Sequence, residues 1–136
     1  MPDLPEIVHR MLEGETYHPP VAKLIGFRLT DVGPGEARVV LEAGEEHANP
    51  MGTLHGGILC DIADAAMGLA HAASLKQGET FTTLGLQIQF LRPHWTGELV
   101  ADASHVKRGR TISVLEATVR DEEDRGIARA TSTVMT

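Results

Sequence analysis

Apolar residues recur first at helical spacing, then in alternation, then at helical spacing again. Leu4, Ile7, Val8, Met11 and Leu12 step by threes and fours and predict an amphipathic helix over 4–12. Gly14 and the Pro19-Pro20 pair end it. Strand-like runs follow over Leu24 to Val32 and, after Gly33-Pro34-Gly35, through Ala37, Val39 and Leu41, which alternate with Arg38, Val40 and Glu42; together they predict a hairpin. Residues 45–54 read as a loop, broken by Asn49-Pro50 and Gly52. From Gly56 to about Leu75 the chain is alanine-rich and free of proline. Ile58, Leu59, Ile62, Ala66, Met67, Leu69 and Ala73 suit a helix buried over most of its surface, closed by Gln77-Gly78.

The period then returns to two. Leu84, Leu86, Ile88 and Phe90 alternate with Gly85, Gln87, Gln89 and Leu91, the pattern of a half-buried strand. Glu98 to Val106, Thr111 to Arg120 and Gly126 to Val134 predict three more strands, separated by Lys107-Arg108-Gly109-Arg110 and by Asp121-Glu122-Glu123-Asp124-Arg125. Strands joined by short turns are antiparallel neighbours. One apolar helix on one antiparallel sheet is an α+β layer arrangement. Because this helix is apolar nearly all round, one sheet does not cover it, and a subunit interface is the expected second cover.

Composition narrows the classes. With 136 residues the chain fits a single domain over 1–136, with 1–20 as an N-terminal helix and extension. A net charge of −7 argues against generic nucleic-acid binding, which needs a surplus of Lys and Arg. The lone Cys60 excludes an intrachain disulfide and fits a reducing compartment. The opening residues lack a basic, apolar secretory signal and no apolar run spans a bilayer, so the expectation is a cytoplasmic protein without membrane association.

Against its apolar background the central helix carries Asp61, Asp64 and His71. With Gly57 and Gly68 they step by four, three, four and three and share one face. A charge in an apolar helix needs a partner or a purpose. Asp61 lies in the early turns, where negative charge suits the helix dipole; Asp64 is too deep for that role. The helix opens at Thr53-Leu54-His55-Gly56-Gly57, with Thr53 as the candidate cap. Two glycines there leave the first N–H groups, which lack intrahelical partners, open to an anion or a developing oxyanion.

Asn49-Pro50-Met51-Gly52-Thr53-Leu54-His55-Gly56-Gly57, followed by Asp64, resembles the motif of the hotdog-fold thioesterases of the phenylacetate-pathway (PaaI-type) group. The Asn stands six positions before the His and the acidic residue nine after it. The resemblance covers about Leu24 to Val134. It implies a hotdog fold, a long central helix wrapped by a curved antiparallel β-sheet. It implies a homodimer whose two sheets join, with two shared sites, commonly paired further into a homotetramer. It also implies roles. The Gly56 N–H polarises the thioester carbonyl, assisted by Asn49, while Asp64 of the other subunit is general base or nucleophile. Thr83, or its neighbour Thr82, positions water. His55 orients the loop or substrate, and Gly57 contributes to substrate binding. Asp61 has no counterpart in the motif.

The expected substrate is an acyl-CoA, aryl-acyl or medium-chain, with no separate cofactor and no metal. Arg108, Gly109 and Arg110, beside Lys107, form the only concentrated positive patch, and arginine suits the phosphates of CoA; a solvated turn is the alternative. Three rival functions stand beside this one. An enoyl-thioester hydratase shares the fold, but the His-Gly-Gly run and Asp64 argue against it. A metal site would draw on His47, His55, Asp61, Asp64 and His71, but no HxxxH pair exists. An acyl-thioester-binding protein without turnover would keep the fold alone.

Overall fold

The computed structural model describes residues 4–13 and 18–136. Three helices and six strands follow one another: α1 (Leu4–Glu13), α2 (Pro20–Ile25), β1 (Phe27–Gly33), β2 (Glu36–Ala43), α3 (Gly56–Ala72), β3 (Thr82–Phe90), β4 (Gly97–Lys107), β5 (Ile112–Arg120) and β6 (Gly126–Met135), with a 3-10 turn at Glu45–His47. The strands form one antiparallel sheet in the order β1-β2-β4-β5-β6-β3. The long helix α3 lies across it, chiefly against β2 and β4. This is the expected α+β, hotdog arrangement.

Close approach of helix to sheet follows from small side chains on both. Ala63, Ala66 and Ala70 of α3 are fully buried, as are Ala101 and Ala117 on the strands beneath, while Leu41, Ile62, Leu99, Leu115 and Ile127 fill the space between. Along β2 and β5 buried and open positions alternate, as a one-face-covered sheet requires.

Three sequence expectations need correction. The first strand does not start at Leu24. Pro20 at the first helical position and Gly26 at φ +98° bracket a six-residue helix, α2, in which Leu24 points to solvent at 84% exposure. The central helix ends at Ala72, three residues early, because Ser74 Oγ bonds to the His71 carbonyl and the Ala70 carbonyl accepts the Gly35 N–H of the β1–β2 turn. Finally, β3 is more open than half-buried. Leu84 and Phe90 are each 56% exposed, and only Leu86 and Ile88 pack on the core. Gly14, expected to stop the first helix, lies outside the described residues.

The two sheet edges differ. β1 carries a bulge between Leu29 and Asp31, which protects an edge from pairing. Among the described residues β3 pairs only with β6 and leaves its other side free, next to exposed Leu84, Phe90, Leu91 and Trp95. Its own bulge, between Thr83 and Gly85, re-aims the start of the strand. Among the described residues no helix is long and apolar enough to cross a membrane.

Candidate active site

The loop before α3 is held from several sides. Asn49 Oδ1 accepts the N–H groups of Met51 (2.9 Å) and Thr53 (3.2 Å), and its Nδ2 donates to Thr53 Oγ1 at 2.7 Å. The Leu54 N–H reaches the His94 carbonyl and the His55 N–H the His47 carbonyl. His47 is buried, with Nδ1 accepting the Gly44 N–H and Nε2 donating to the Ile25 carbonyl. Asn49 thus builds the loop, with one amide hydrogen left for a further partner.

The loop ends in a cap that was expected at Thr53 and instead is His55. Its Nδ1 accepts the Gly57 N–H at 2.8 Å. An imidazole that accepts at Nδ1 carries its proton on Nε2, so the exposed side of the ring is a donor. A Cβ on Gly57 would lie 2.9 Å from that ring nitrogen, so glycine is what lets the ring fold over the helix start. Of the first two N–H groups, Gly57 is therefore taken by His55, and Gly56 alone has no acceptor among the described residues. The Phe90 ring, at the end of β3, packs on Gly56, where a Cβ would meet its Cζ at 2.9 Å.

Asp64 lies eight residues further along α3, about 12 Å away at the helical rise. It stands at the mouth of an apolar cavity of about 350 Å³ between α1, α2, α3 and the start of β3. In the single chain the carboxyl is exposed at that mouth, yet the apolar groups behind it desolvate it. Its pKa is pushed up, with the Asp61 charge adding to the shift. Asp61 is also raised by burial, against a lowering influence of His55. Thr83 lines the same cavity and Thr82 does not, so of the two candidate hydroxyls Thr83 is the one beside Asp64.

A family model described as the thioesterase superfamily matches residues 51–128, from within the Asn49 loop to the early part of β6. The chain belongs to the thioesterase superfamily. It is 30% identical over 101 residues to 1,4-dihydroxy-2-naphthoyl-CoA hydrolase of Listeria monocytogenes, covering 74% of this chain and 82% of that protein. A phenylacetic acid degradation-related protein from Ralstonia eutropha JMP134 superposes with TM-score 0.87 at 30% identity, over 96% of this chain and 99% of that one. A mutant of the phenylacetic acid degradation protein PaaI from Thermus thermophilus gives TM-score 0.79 at 30% identity, over 86% and 98%.

The thioesterase divides the expected polar stripe in two. Asp61 and Asp64 face outward, whereas His71 is fully buried. Its Nδ1 meets His105 Nε2 at 2.9 Å, its Nε2 meets Thr136 Oγ1 at 2.9 Å, and Phe81 stacks edge-on at 5.1 Å. Burial, with the Arg108 and His105 charges, pulls the His71 pKa down to about 4. The sequence has no spacing that links His71 to His105 or Thr136, because the partners are 34 and 65 residues away. His47 and His71, both weighed as metal ligands, are each committed to two protein partners in separate places.

The positive patch of the thioesterase sits past the other end of α3. Arg108 donates to Ser74 Oγ at 3.1 Å and to the Gly109 carbonyl, while Gly109 packs so closely on the Ile112 carbonyl that no Cβ fits. Arg110 is exposed and, among the described residues, makes no ion pair. The patch and the Gly56 N–H of one chain are therefore separated by the full length of the helix.

Proposed function

We propose that this thioesterase hydrolyses acyl-CoA esters in a site shared by two copies of the chain. The carbonyl oxygen lies at the Gly56 N–H of one copy, and Asp64 of the second copy acts as general base or nucleophile. The observation that carries this is the pairing of each half-site with one end of β3. Asp64 shares its cavity with Thr83 at the start of the strand, and Gly56 touches Phe90 at its end. Within one chain the two halves are about 12 Å apart along a rigid helix. Two-fold pairing along the free β3 edge sets the start of one strand beside the end of the other. Asp64 of one copy then approaches Gly56 of the second, and the partly open Leu84 and Phe90 are covered.

In such a site the free N–H, at the positive end of α3, stabilises charge that develops on the carbonyl oxygen. The raised basicity of Asp64 suits removal of a proton from water, and Thr83 is positioned to hold that water. His55 fixes the helix start and offers Nε2–H toward the substrate. Arg108 and Arg110 are assigned to the CoA phosphates. The dimer pairs into a tetramer, and a lone cysteine fits residence in the reducing cytoplasm. No cofactor is required for these steps.

Thiol release from an acyl-CoA panel, with wild type beside Asp64→Asn, tests the reading. Release by wild type and its loss in the variant are expected. Absence of release from every ester would overturn it in favour of binding without turnover, and loss of enoyl absorbance without thiol would favour hydration.

A further inference from the structure

His71 is fully buried near the end of α3 and has no part in the chemistry proposed above. Three of its contacts nevertheless lead to one place, the turn that carries Lys107, Arg108 and Arg110. The first starts at its ring. Nδ1 meets Nε2 of His105 at 2.9 Å, and β4 bulges between His105 and Lys107, which re-aims the strand as it enters the turn. The second leaves the other ring nitrogen. Nε2 meets Thr136 Oγ1 at 2.9 Å, and the Thr136 N–H donates at 2.8 Å to the carbonyl of Thr111, on the far leg of the turn. The third is the His71 carbonyl, which accepts the Ser74 hydroxyl at 2.6 Å, while Ser74 Oγ itself accepts Arg108 Nε at 3.1 Å.

Between these anchors the turn is closed. The Gly109 N–H donates to Oγ of buried Ser113 at 3.1 Å, and Arg108 Nη1 donates to the Gly109 carbonyl at 2.6 Å. Two of the five N–H donors of Arg108 are thereby used, and the exposed guanidinium keeps the others for a ligand.

We propose that His71 and His105 are positioning residues for the CoA phosphates: the pair fixes both legs of the 107–111 turn and so sets Arg108 and Arg110 in place before the ligand arrives. The proposal rests on the acyl-CoA reading above and adds to it two residues that touch no substrate. A cation already held in place loses less freedom when it meets a phosphate. Arg110 makes no ion pair among the described residues, so the path of the turn decides where its side chain can reach. Burial, with the Arg108 and His105 charges, holds His71 neutral at pH 7, so the pair supports the turn by hydrogen bonds and not by charge.

The test measures kcat and KM for hexanoyl-CoA and for S-hexanoyl-N-acetylcysteamine, which has the thioester and no phosphate. Wild type is compared with His105→Leu, His105→Gln and Thr136→Val. Glutamine keeps a neutral hydrogen-bonding group near the place of Nε2. Valine removes only the Thr136 hydroxyl and leaves its backbone bond to Thr111, so that variant folds. The wild type should show a lower KM for the CoA ester than for the cysteamine ester. His105→Leu should raise KM for hexanoyl-CoA about tenfold, the worth of one charge-assisted hydrogen bond, with kcat near its original value. Thr136→Val should raise it several-fold, and His105→Gln should recover most of the loss. None of the three should change kcat/KM for the cysteamine ester. Equal losses on the two esters, or an unchanged KM for hexanoyl-CoA in both His105→Leu and Thr136→Val, would overturn the proposal and leave hydrolysis intact. A wild-type KM alike for the two esters would remove the phosphate contact and the proposal with it. No thiol release from either ester would remove the acyl-CoA reading as well.

Discussion

His55 Nδ1 and the Gly57 N–H, 2.8 Å apart, close the first turn of α3. A side-chain cap of this kind is worth about 0.5–2 kcal/mol. His55→Ala should therefore lower the melting temperature by a few degrees. His55→Asn, which also caps well, should recover most of that loss. If activity returns with stability in His55→Asn, the ring serves to hold the helix start. If stability returns and activity does not, the Nε2–H contributes to the reaction. Thermal melts and thiol release on the three proteins separate these.

Only proline removes a backbone donor, and Gly56 is the first helical residue, where proline is tolerated. His55 at φ −64°, ψ 132° already has the extended conformation that precedes a proline, and the proline ring requires only that Phe90, which packs on Gly56, turn aside. Gly56→Pro should fold and lose about a hundred- to a thousand-fold in kcat. A near-normal rate would remove the carbonyl contact from the mechanism.

Asp64→Asn should lower kcat by about a hundred- to ten-thousand-fold, the usual worth of a positioned general base. It should also not cost stability. A carboxyl whose folded pKa is raised favours the folded state when protonated and opposes it as pH rises through that pKa. The variant should therefore melt slightly above wild type at pH 7, with the gap closing in acid. Mixing Asp64→Asn and Gly56→Pro chains and refolding them together gives a direct test of the shared site. Half of the dimers are mixed and carry one intact site of two, so about a quarter of wild-type activity should return. No recovery would mean that both halves act within one chain.

The buried histidines set an acid limit. The unfolded chain binds a proton at His71 near pH 6.5, the folded chain only near 4, so stability is full above about pH 6.5 and falls as pH drops toward 4. His105, also lowered by burial and by Arg108, acts in the same direction, and Glu79 opposes weakly at His71. Melting curves from pH 7 to 4.5 should fall more steeply for wild type than for His71→Leu, although the variant is less stable at pH 7. Parallel curves would contradict the assignment.

If Arg108 and Arg110 hold the phosphates of CoA, replacing either by alanine should raise KM several-fold and leave kcat near its original value. Arg108→Ala also frees Ser74 at the end of α3, so Arg110→Ala, which breaks no ion pair among the described residues, is the cleaner variant. An unchanged KM in Arg110→Ala would reduce the patch to a solvated turn.

What could be read ahead of the structure was what is local. The long helix and the four later strands follow from their periods, and the spacing from Asn49 through His55 to Asp64 lies within a loop and two turns of helix. The short helix α2 was hidden because six residues carry too little period, though Pro20 and Gly26 mark both ends. The His55 cap was missed because histidine is not an expected capping residue. The cavity behind Asp64 joins Ile7, Gly68 and Phe81, and the seat of His71 joins β4 and the last residue of the chain. Neither arrangement is written in any contiguous stretch. The free edge of β3 misled in the opposite sense: its alternation reports a covered face, and in the single chain the cover is missing.

Among the described residues, the unclaimed donor at the head of α3 belongs to the peptide chain and not to a side chain. Every residue but proline would supply that N–H, with Phe90 moved aside for any side chain, so in the proposed site this half of the chemistry comes with the path of the loop. The other half hangs on a single carboxylate. In the proposed site, a chain that lost Asp64 would still bind a thioester carbonyl and would no longer hydrolyse the ester.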